Sequence, residues 1–169
     1  LSESDSQGES ALRYEIAKYL YSFRGVSCSP DQVIISAGTQ QTSQHLSRVL
    51  QDLDIYTVAT ETPGYAPVTQ IFRNNRFSIF EIPVLDDGIE IEKLPVNIPS
   101  AVYVNPSNQF PTGSVMPIGR RYDLLAWAEK NDSYIIEDDY DSELRYFGRP
   151  IPALKSLDHS NRVIYLGSF

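Results

Sequence analysis

The sequence is poor in cysteine and in basic residues, and it has no long apolar run. Its single cysteine, Cys28, excludes an internal disulfide and is typical of a reducing compartment, so we expect a cytoplasmic location. The 14 Lys and Arg residues are outnumbered by 22 Asp and Glu residues, and the net charge of −8 argues against this chain itself binding DNA or anionic lipid. We expect neither a membrane-spanning segment nor a signal peptide, since no apolar run approaches about 20 residues.

Short apolar runs alternate with helical patterns along the 169 residues. This alternation predicts a single α/β domain over residues 1–169, with three α/β/α layers and a mainly parallel sheet. Six strands are predicted, at residues 33–35, 56–59, 77–82, 101–104, 133–137 and 162–166. Helices are predicted at residues 12–23, 41–50, 66–73 and 117–130, and an irregular or edge excursion at residues 84–91.

Two of the predicted helices have apolar side chains at helical spacing. Gly25 suits the end of the first helix, and Pro117 suits the first turn of the last one. The apolar face of the first helix consists of Leu12, Ile16, Tyr19, Leu20 and Phe23. The side chains of the last helix that we expect to point inward are Ile118, Tyr122 and Leu125.

A cluster of carboxylates at the end of one predicted strand is the most informative segment. Residues 134–141 run from an apolar, β-branched stretch into four acidic side chains with Tyr140 among them. Ligands bind at the carboxyl ends of strands in a parallel α/β sheet, and a buried carboxylate there needs a cationic partner to stay ionised. Strand alternation puts Asp138 and Tyr140 on one face. A solvated, charged surface is the alternative interpretation.

Other predicted strands also end in segments with binding chemistry. One turn places Gly38 and Thr39 at a helix start, where N–H groups can hold a phosphate. A second turn ends in Tyr65, whose ring can stack on a flat ligand. Residues 105–113 form a loop rich in proline and amide side chains, and Ser168 follows the last strand. Each segment alone is also explained as an ordinary turn or connection.

These residue types at successive strand ends suit an aromatic phosphate with a basic ring nitrogen. Over nearly its whole length the sequence resembles fold-type I pyridoxal phosphate enzymes of the aminotransferase class I/II kind. It is most similar to the aminotransferase-like domain of MocR/GabR-type transcriptional regulators of the GntR family, and it would be the truncated large domain of that fold. The segments that carry the resemblance are residues 33–41, 106–113, 136–143, 145–154 and 163–169.

The resemblance implies a phosphate site at the strand ends. Gly38, Thr39 and Gln40 would bind the phosphate of pyridoxal phosphate through backbone N–H and hydroxyl groups. Ser168 would be a further phosphate ligand. The positive end of a helix dipole suits such an anion.

The resemblance also implies roles around the pyridine ring. Tyr65 would stack on the ring, Asp138 would pair with its protonated nitrogen, and Tyr140 would donate to its phenolate oxygen. Free-standing aminotransferases of this class usually have Asn where this sequence has Phe110, so either Asn108 contacts the phenolate oxygen or that contact is absent. This difference favours the regulators over the enzymes.

The lysine that forms the Schiff base in the family would follow directly after Phe169, where this sequence has no residue. We therefore assign no catalytic residue and do not expect this chain alone to be an active transaminase. In the family, two further features would also lie after Phe169. One is the arginine that binds the substrate carboxylate, and the other is the strand that lies between the first and sixth strands of the sheet. Open strand edges that seek a partner are therefore expected.

The resemblance predicts a pyridoxal phosphate-binding effector domain that senses an amino-acid-like small molecule for a transcriptional regulator. It implies a homodimer, and DNA binding through a separate domain N-terminal to Leu1. One alternative is a fragment of a class I/II aminotransferase, which transfers an amino group between an amino acid and a 2-oxo acid. The other is a non-catalytic α/β interaction domain whose strand-end motifs are relics.

Overall fold

A six-stranded sheet lies at the centre of residues 5–141 and 151–168, the parts of the chain that the computed structural model describes. The strands are β1 (Thr57–Thr62), β2 (Ser78–Leu85), β3 (Gly88–Ile89), β4 (Ala101–Val104), β5 (Tyr134–Asp139) and β6 (Val163–Gly167). The helices are α1 (Ser10–Arg24), α2 (Thr39–Asp52), α3 (Ala66–Asn74) and α4 (Ile118–Lys130). Short 3-10 turns lie at Pro30–Gln32, Ile91–Lys93 and Leu154–Leu157. Among these described helices, none is long and apolar enough to cross a membrane.

The strands follow the order β3-β2-β1-β4-β5-β6, and neighbouring strands are parallel except for antiparallel β2 and β3. The register places Thr60 of β1 beside Tyr103 of β4, and Tyr103 beside Ile136 of β5. The mainly parallel sheet and the excursion at its edge are confirmed. Because β1, β4, β5 and β6 run parallel, their carboxyl ends meet at one edge of the sheet.

Helices cover both faces of the sheet, which confirms the three-layer arrangement. On one face α2 and α3 bury Leu50 and Phe72 against Tyr103 and Ile136. On the other face α4 packs Leu124, Trp127 and Ala128 against Val102, Ile135 and Val163 of the strands. Each Val, Leu, Ile or Phe side chain among these contributes about 1.5–3 kcal/mol when it is fully buried, so both faces of the central strands stabilise the fold.

The predicted strand at residues 33–35 is wrong. Val33 has extended backbone angles, but no strand among the described residues pairs with this segment. The backbone N–H of Ile35 donates instead to the carbonyl of Gln7, at 2.8 Å. An apolar, β-branched run favours extended backbone, but a strand also needs a neighbour that supplies its ladder hydrogen bonds. The parts of the resemblance in residues 142–150 and at Phe169 lie outside the described residues.

The apolar face of α1 is not its buried face. Leu12 and Phe23 are exposed, Phe23 to 68%, while the helix buries Arg13, Ala17 and Arg24. Counting apolar positions missed this face because two of its three buried residues are arginines, which are retained by hydrogen bonds and ion pairs. The helix ends where predicted, at Gly25, which has a φ of 69°.

The inward face predicted for α4 is wrong at two of its three residues. Ile118 and Tyr122 are exposed, Tyr122 to 51%, and Leu125 is partly buried. The buried side chains are Arg121, Leu124, Trp127 and Ala128. Arg121 is buried because its guanidinium donates to three carbonyls in two connecting segments, at 2.8–2.9 Å. The face of α4 that contains Arg121 is therefore buried, and part of its most apolar face is exposed.

Candidate functional site

Asp138 is a buried acid at the carboxyl end of β5. Its exposed fraction is 6%, and the hydroxyl of Tyr103 donates a hydrogen bond to its carboxylate. The side-chain amide of Asn105 donates to its backbone carbonyl at 3.0 Å. Burial raises the pKa of Asp138 to about 6, although the Tyr103 hydrogen bond lowers it. None of the ion pairs among the described residues includes Asp138, so its carboxylate lacks a cationic partner there.

Asp139 points to the opposite face and has such a partner. Its carboxylate lies 2.6 Å from Nε of Arg24, and the hydroxyl of Tyr165 donates to it at 2.6 Å. Both members of the ion pair are buried. The alternation argument therefore separates the two neighbouring acids as expected: Asp139 is paired with a cation inside the fold, and Asp138 has no cationic partner in the described part of the chain.

Tyr140 contacts two other predicted site residues, Asn108 and Ser168. The side-chain amide of Asn108 lies 3.4 Å from its hydroxyl and also donates to the carboxylate of Asp141. Ser168 donates its hydroxyl to the backbone carbonyl of Tyr140 at 3.1 Å, which joins the ends of β5 and β6. Burial and the nearby carboxylates of Asp141 and Asp138 raise the pKa of the Tyr140 hydroxyl.

Tyr65 is held between α2 and the loop that follows β4. The side-chain amide of Gln40 donates to its hydroxyl at 3.4 Å. The ring of Phe110 meets the Tyr65 ring edge to face, at an angle of 88° and a centroid distance of 6.3 Å. The side chain of Gln40, predicted as a phosphate ligand, therefore contacts the predicted stacking residue.

The N-terminus of α2 is open to an anion. Gly38 precedes the helix with a φ of 87°, and a Cβ at this position would meet no atom within 4 Å. Gly38 cannot supply a side-chain cap, so the first N–H groups of the helix, from Thr39 onward, lack the usual capping acceptor. A glycine suits both the left-handed backbone and the close approach of a ligand.

Three residues of the site were missed from the sequence. Tyr103 donates to Asp138, and Glu61 and Gln109 form a buried pair beside Tyr65. Periodicity predicted the strand that contains Tyr103, but it did not predict which strand lies beside it. The loop at residues 105–113 is among the segments predicted to have binding chemistry, but nothing in its local pattern indicates that Gln109 is its buried centre.

The donor set suits a flat cationic ring that carries an anionic group. Asp138 is a buried acceptor without a cationic partner among the described residues, Tyr65 offers an aromatic face, and Tyr140 offers a phenolic hydroxyl. Gly38 and Thr39 add a helix start for an anion. These chemical types match pyridoxal phosphate, which combines a basic ring nitrogen, a phenolate oxygen and a phosphate.

Comparison with known proteins extends this match to the whole chain. The family model "Aminotransferase class I and II" matches residues 3–169. An uncharacterised HTH-type transcriptional regulator of Bacillus subtilis, YdeL, is 51% identical over 162 residues, which are 96% of this chain and 35% of the relative. The HTH-type pyridoxine biosynthesis transcriptional regulator PdxR of Corynebacterium glutamicum is 40% identical over 167 residues, which are 98% of this chain and 36% of the relative. The chain thus spans about a third of the length of these curated relatives.

The fold is shared with solved aminotransferases. The kynurenine aminotransferase of Pyrococcus horikoshii, solved in complex with PMP, is 31% identical, with a TM-score of 0.86. The match covers 100% of this chain and 44% of that structure. These findings confirm the fold class and the family resemblance, and they support pyridoxal phosphate as the cofactor. The chain belongs to the aminotransferase class I and II family.

Proposed function

We propose that this chain is the pyridoxal phosphate-binding effector domain of a transcriptional regulator that senses an amino-acid-like small molecule. The identity of 40–51% to HTH-type regulators supports this function over that of a free-standing enzyme. The observation that carries the proposal is the buried Asp138 carboxylate, which has no cationic partner among the described residues. A protonated pyridine nitrogen supplies the missing charge.

Each proposed cofactor contact uses a group that the fold leaves available. Asp138 accepts a hydrogen bond from the protonated ring nitrogen, and Tyr103 orients its carboxylate. Tyr65 covers one face of the ring, held by the edge of the Phe110 ring. Tyr140 donates its hydroxyl to the phenolate oxygen. When bound, pyridoxal phosphate supplies an electron-withdrawing ring next to the carbon that carries an amino group.

The remaining contacts hold the phosphate and the phenolate side. Gly38 and Thr39 bind the phosphate with the N–H groups at the start of α2, and the Thr39 hydroxyl adds a donor. Gln40 contributes its backbone N–H, since its side chain contacts Tyr65. Ser168 lies beside Tyr140 and is a further phosphate ligand. Asn108, whose side-chain amide lies 3.4 Å from the Tyr140 hydroxyl, contacts the phenolate oxygen, which Phe110 cannot do.

The parent protein is proposed to be a cytoplasmic homodimer that binds DNA through a separate domain. The test is made on the complete gene product, titrated with pyridoxal phosphate and followed by the visible absorption of the bound cofactor. Asp138→Ala weakens binding by about 10- to 100-fold, because it removes a buried, charge-assisted hydrogen bond. Asp123→Asn, an exposed acid on α4, is the matched control and binds as the wild type does.

The alternative function is amino-group transfer by a class I/II aminotransferase. It is supported by the 31% identity to the Pyrococcus horikoshii enzyme across the whole chain. Steady-state turnover of amino acids without DNA binding would support the enzyme and contradict the regulator. Sequence-specific DNA binding that changes with an amino-acid-like ligand would support the regulator. If the complete gene product bound no pyridoxal phosphate, both the regulator and the enzyme would be contradicted. The non-catalytic interaction domain would then be the remaining alternative.

A further inference from the structure

Glu61 is a buried carboxyl at the carboxyl end of β1 that the proposed cofactor contacts do not use. Its exposed fraction is 5%. Its Oε2 accepts hydrogen bonds from Nε2 of Gln109, at 3.1 Å, and from the backbone N–H of Asn105, at 3.3 Å. Strand alternation puts its side chain on the face of Ala59, which packs with α4, and away from the face of Tyr103 and Asp138. Glu61 therefore lies behind the cofactor site.

Gln109 is the centre of the loop that follows β4, and its exposed fraction is 1%. Its Nε2 donates to Glu61 and also to the carbonyls of Pro63 and Phe110, at 2.8 and 2.5 Å. Its Oε1 accepts from the N–H and the hydroxyl of Thr112, at 3.1 and 2.6 Å. One amide therefore ties the end of β1 to both sides of this loop.

The two segments that this amide joins carry walls of the proposed site. Gly64 follows β1 so closely that a Cβ there would lie 2.3 Å from the carbonyl oxygen of Glu61, so the turn that leads to Tyr65 is tight. On the other segment Gln109 is flanked by Asn108 and Phe110, and the Phe110 ring meets the Tyr65 ring. A shift of one segment relative to the other would move these two rings apart.

We propose that Glu61 and Gln109 are a positioning pair, which holds the turn of Tyr65 against the loop of Asn108 and Phe110 and so fixes the position of the Tyr65 ring that covers the cofactor ring. The inference rests on the proposed function. Neither residue touches the ring, and both act through the groups that do. Burial raises the pKa of Glu61 to about 7, against the hydrogen bonds from Gln109 and Asn105 that lower it. Glutamine at position 61 copies the shape and the neutral form of this carboxyl.

The test compares Glu61→Leu and Glu61→Gln in the complete gene product, with pyridoxal phosphate as the probe. Glu61→Leu weakens cofactor binding about tenfold, because the buried N–H of Asn105 loses its acceptor and the amide of Gln109 loses its bond to the side chain at the end of β1. It also reduces the visible circular dichroism of the bound cofactor, which reports the asymmetric packing around the ring. Glu61→Gln restores the dichroism and binds within about twofold of the wild type, since its carbonyl accepts the same bonds.

A milder variant and a matched control complete the experiment. Thr112→Val removes an exposed hydroxyl that bonds Gln109, and it lowers cofactor affinity about threefold, in proportion to one solvent-accessible hydrogen bond. It decides the question if Glu61→Leu does not fold. Glu81→Gln changes an exposed carboxyl on β2, which pairs with Arg73, and leaves affinity and dichroism unchanged.

The outcomes separate this inference from the proposed function. Failure of the wild type to bind pyridoxal phosphate overturns the proposed function, and the positioning role with it. Wild-type binding with unchanged affinity and dichroism in Glu61→Leu and Thr112→Val overturns the positioning role alone. Weakened binding in Glu61→Leu that Glu61→Gln fails to restore also contradicts it, because the hydrogen-bond acceptor would then not be the feature that matters.

Discussion

The buried ion pair between Arg24 and Asp139 gives the sharpest test of how the sheet edge is held together. Arg24→Met leaves the Asp139 carboxylate buried, with the hydroxyl of Tyr165 as its remaining donor. It also removes hydrogen bonds to the hydroxyl of Ser107, at 3.1 Å, and to the carbonyl of Ile151, at 3.4 Å. Removing one partner of a buried pair costs about 3–5 kcal/mol, so the free energy of unfolding falls by that amount.

Urea unfolding of the purified protein measures this loss. The double variant Arg24→Met/Asp139→Asn recovers about 1–3 kcal/mol, because the amide no longer leaves a buried charge without a cation. Arg73→Met is the matched control: it breaks an exposed pair with Glu81 and costs less than about 1 kcal/mol. If Arg24→Met costs no more than Arg73→Met, or if the double variant recovers nothing, the buried pair does not stabilise this edge of the sheet.

Three further outcomes are expected. The pKa values of Glu61 and Glu137 are raised to about 7, and that of Asp138 to about 6, mainly by burial. The folded state therefore binds these protons more tightly than the unfolded state, and the contribution of these groups to the unfolding free energy is full below about pH 4 and lost as the pH rises through 6 to 7. Urea unfolding from pH 5 to pH 8 checks this prediction. Glu61→Gln reduces the decrease of the unfolding free energy over this pH range by about 1–3 kcal/mol, and a pH profile equal to that of the wild type contradicts the prediction. Gly38→Ala costs about 1–2 kcal/mol, because its φ of 87° is unfavourable for a residue with a Cβ, and it weakens pyridoxal phosphate binding; wild-type stability and affinity would contradict the proposed phosphate site. Tyr140→Phe shifts the visible absorption of the bound cofactor by removing the proposed phenolate donor, whereas an unchanged spectrum contradicts that contact.

Local pattern was sufficient for most of the secondary structure. The bounds of α3 and β4 were predicted to within a residue, and β5 and β6 to within two, because hydrophobic periodicity and turn residues act over a few positions. The separation of Asp138 from Asp139 also follows from alternation along one strand. The segment at residues 33–35 failed because strand pairing depends on a partner that the segment does not contain.

The buried faces of the helices show where local pattern is insufficient. In α1 and α4 the apolar stripe predicts the buried face, yet Arg24 and Arg121 are among the buried residues. Their burial depends on an acid or on carbonyl groups more than a dozen residues away, such as Asp139 for Arg24 and Pro106 for Arg121. A side chain with a distant hydrogen-bond partner can be buried against its intrinsic preference.

By itself, the sequence determined the alternating α/β order, the opposite directions of Asp138 and Asp139, and the family to which the chain belongs. These depend on residue type and short spacing. Only the tertiary structure decided that Tyr103 lies beside Asp138, that Arg24 neutralises Asp139, and that Gln109 joins the end of β1 to the loop after β4. The reason is physical: strand order and the burial of charge depend on contacts between residues far apart in sequence, and these contacts cannot be read from the spacing of residue types within one segment.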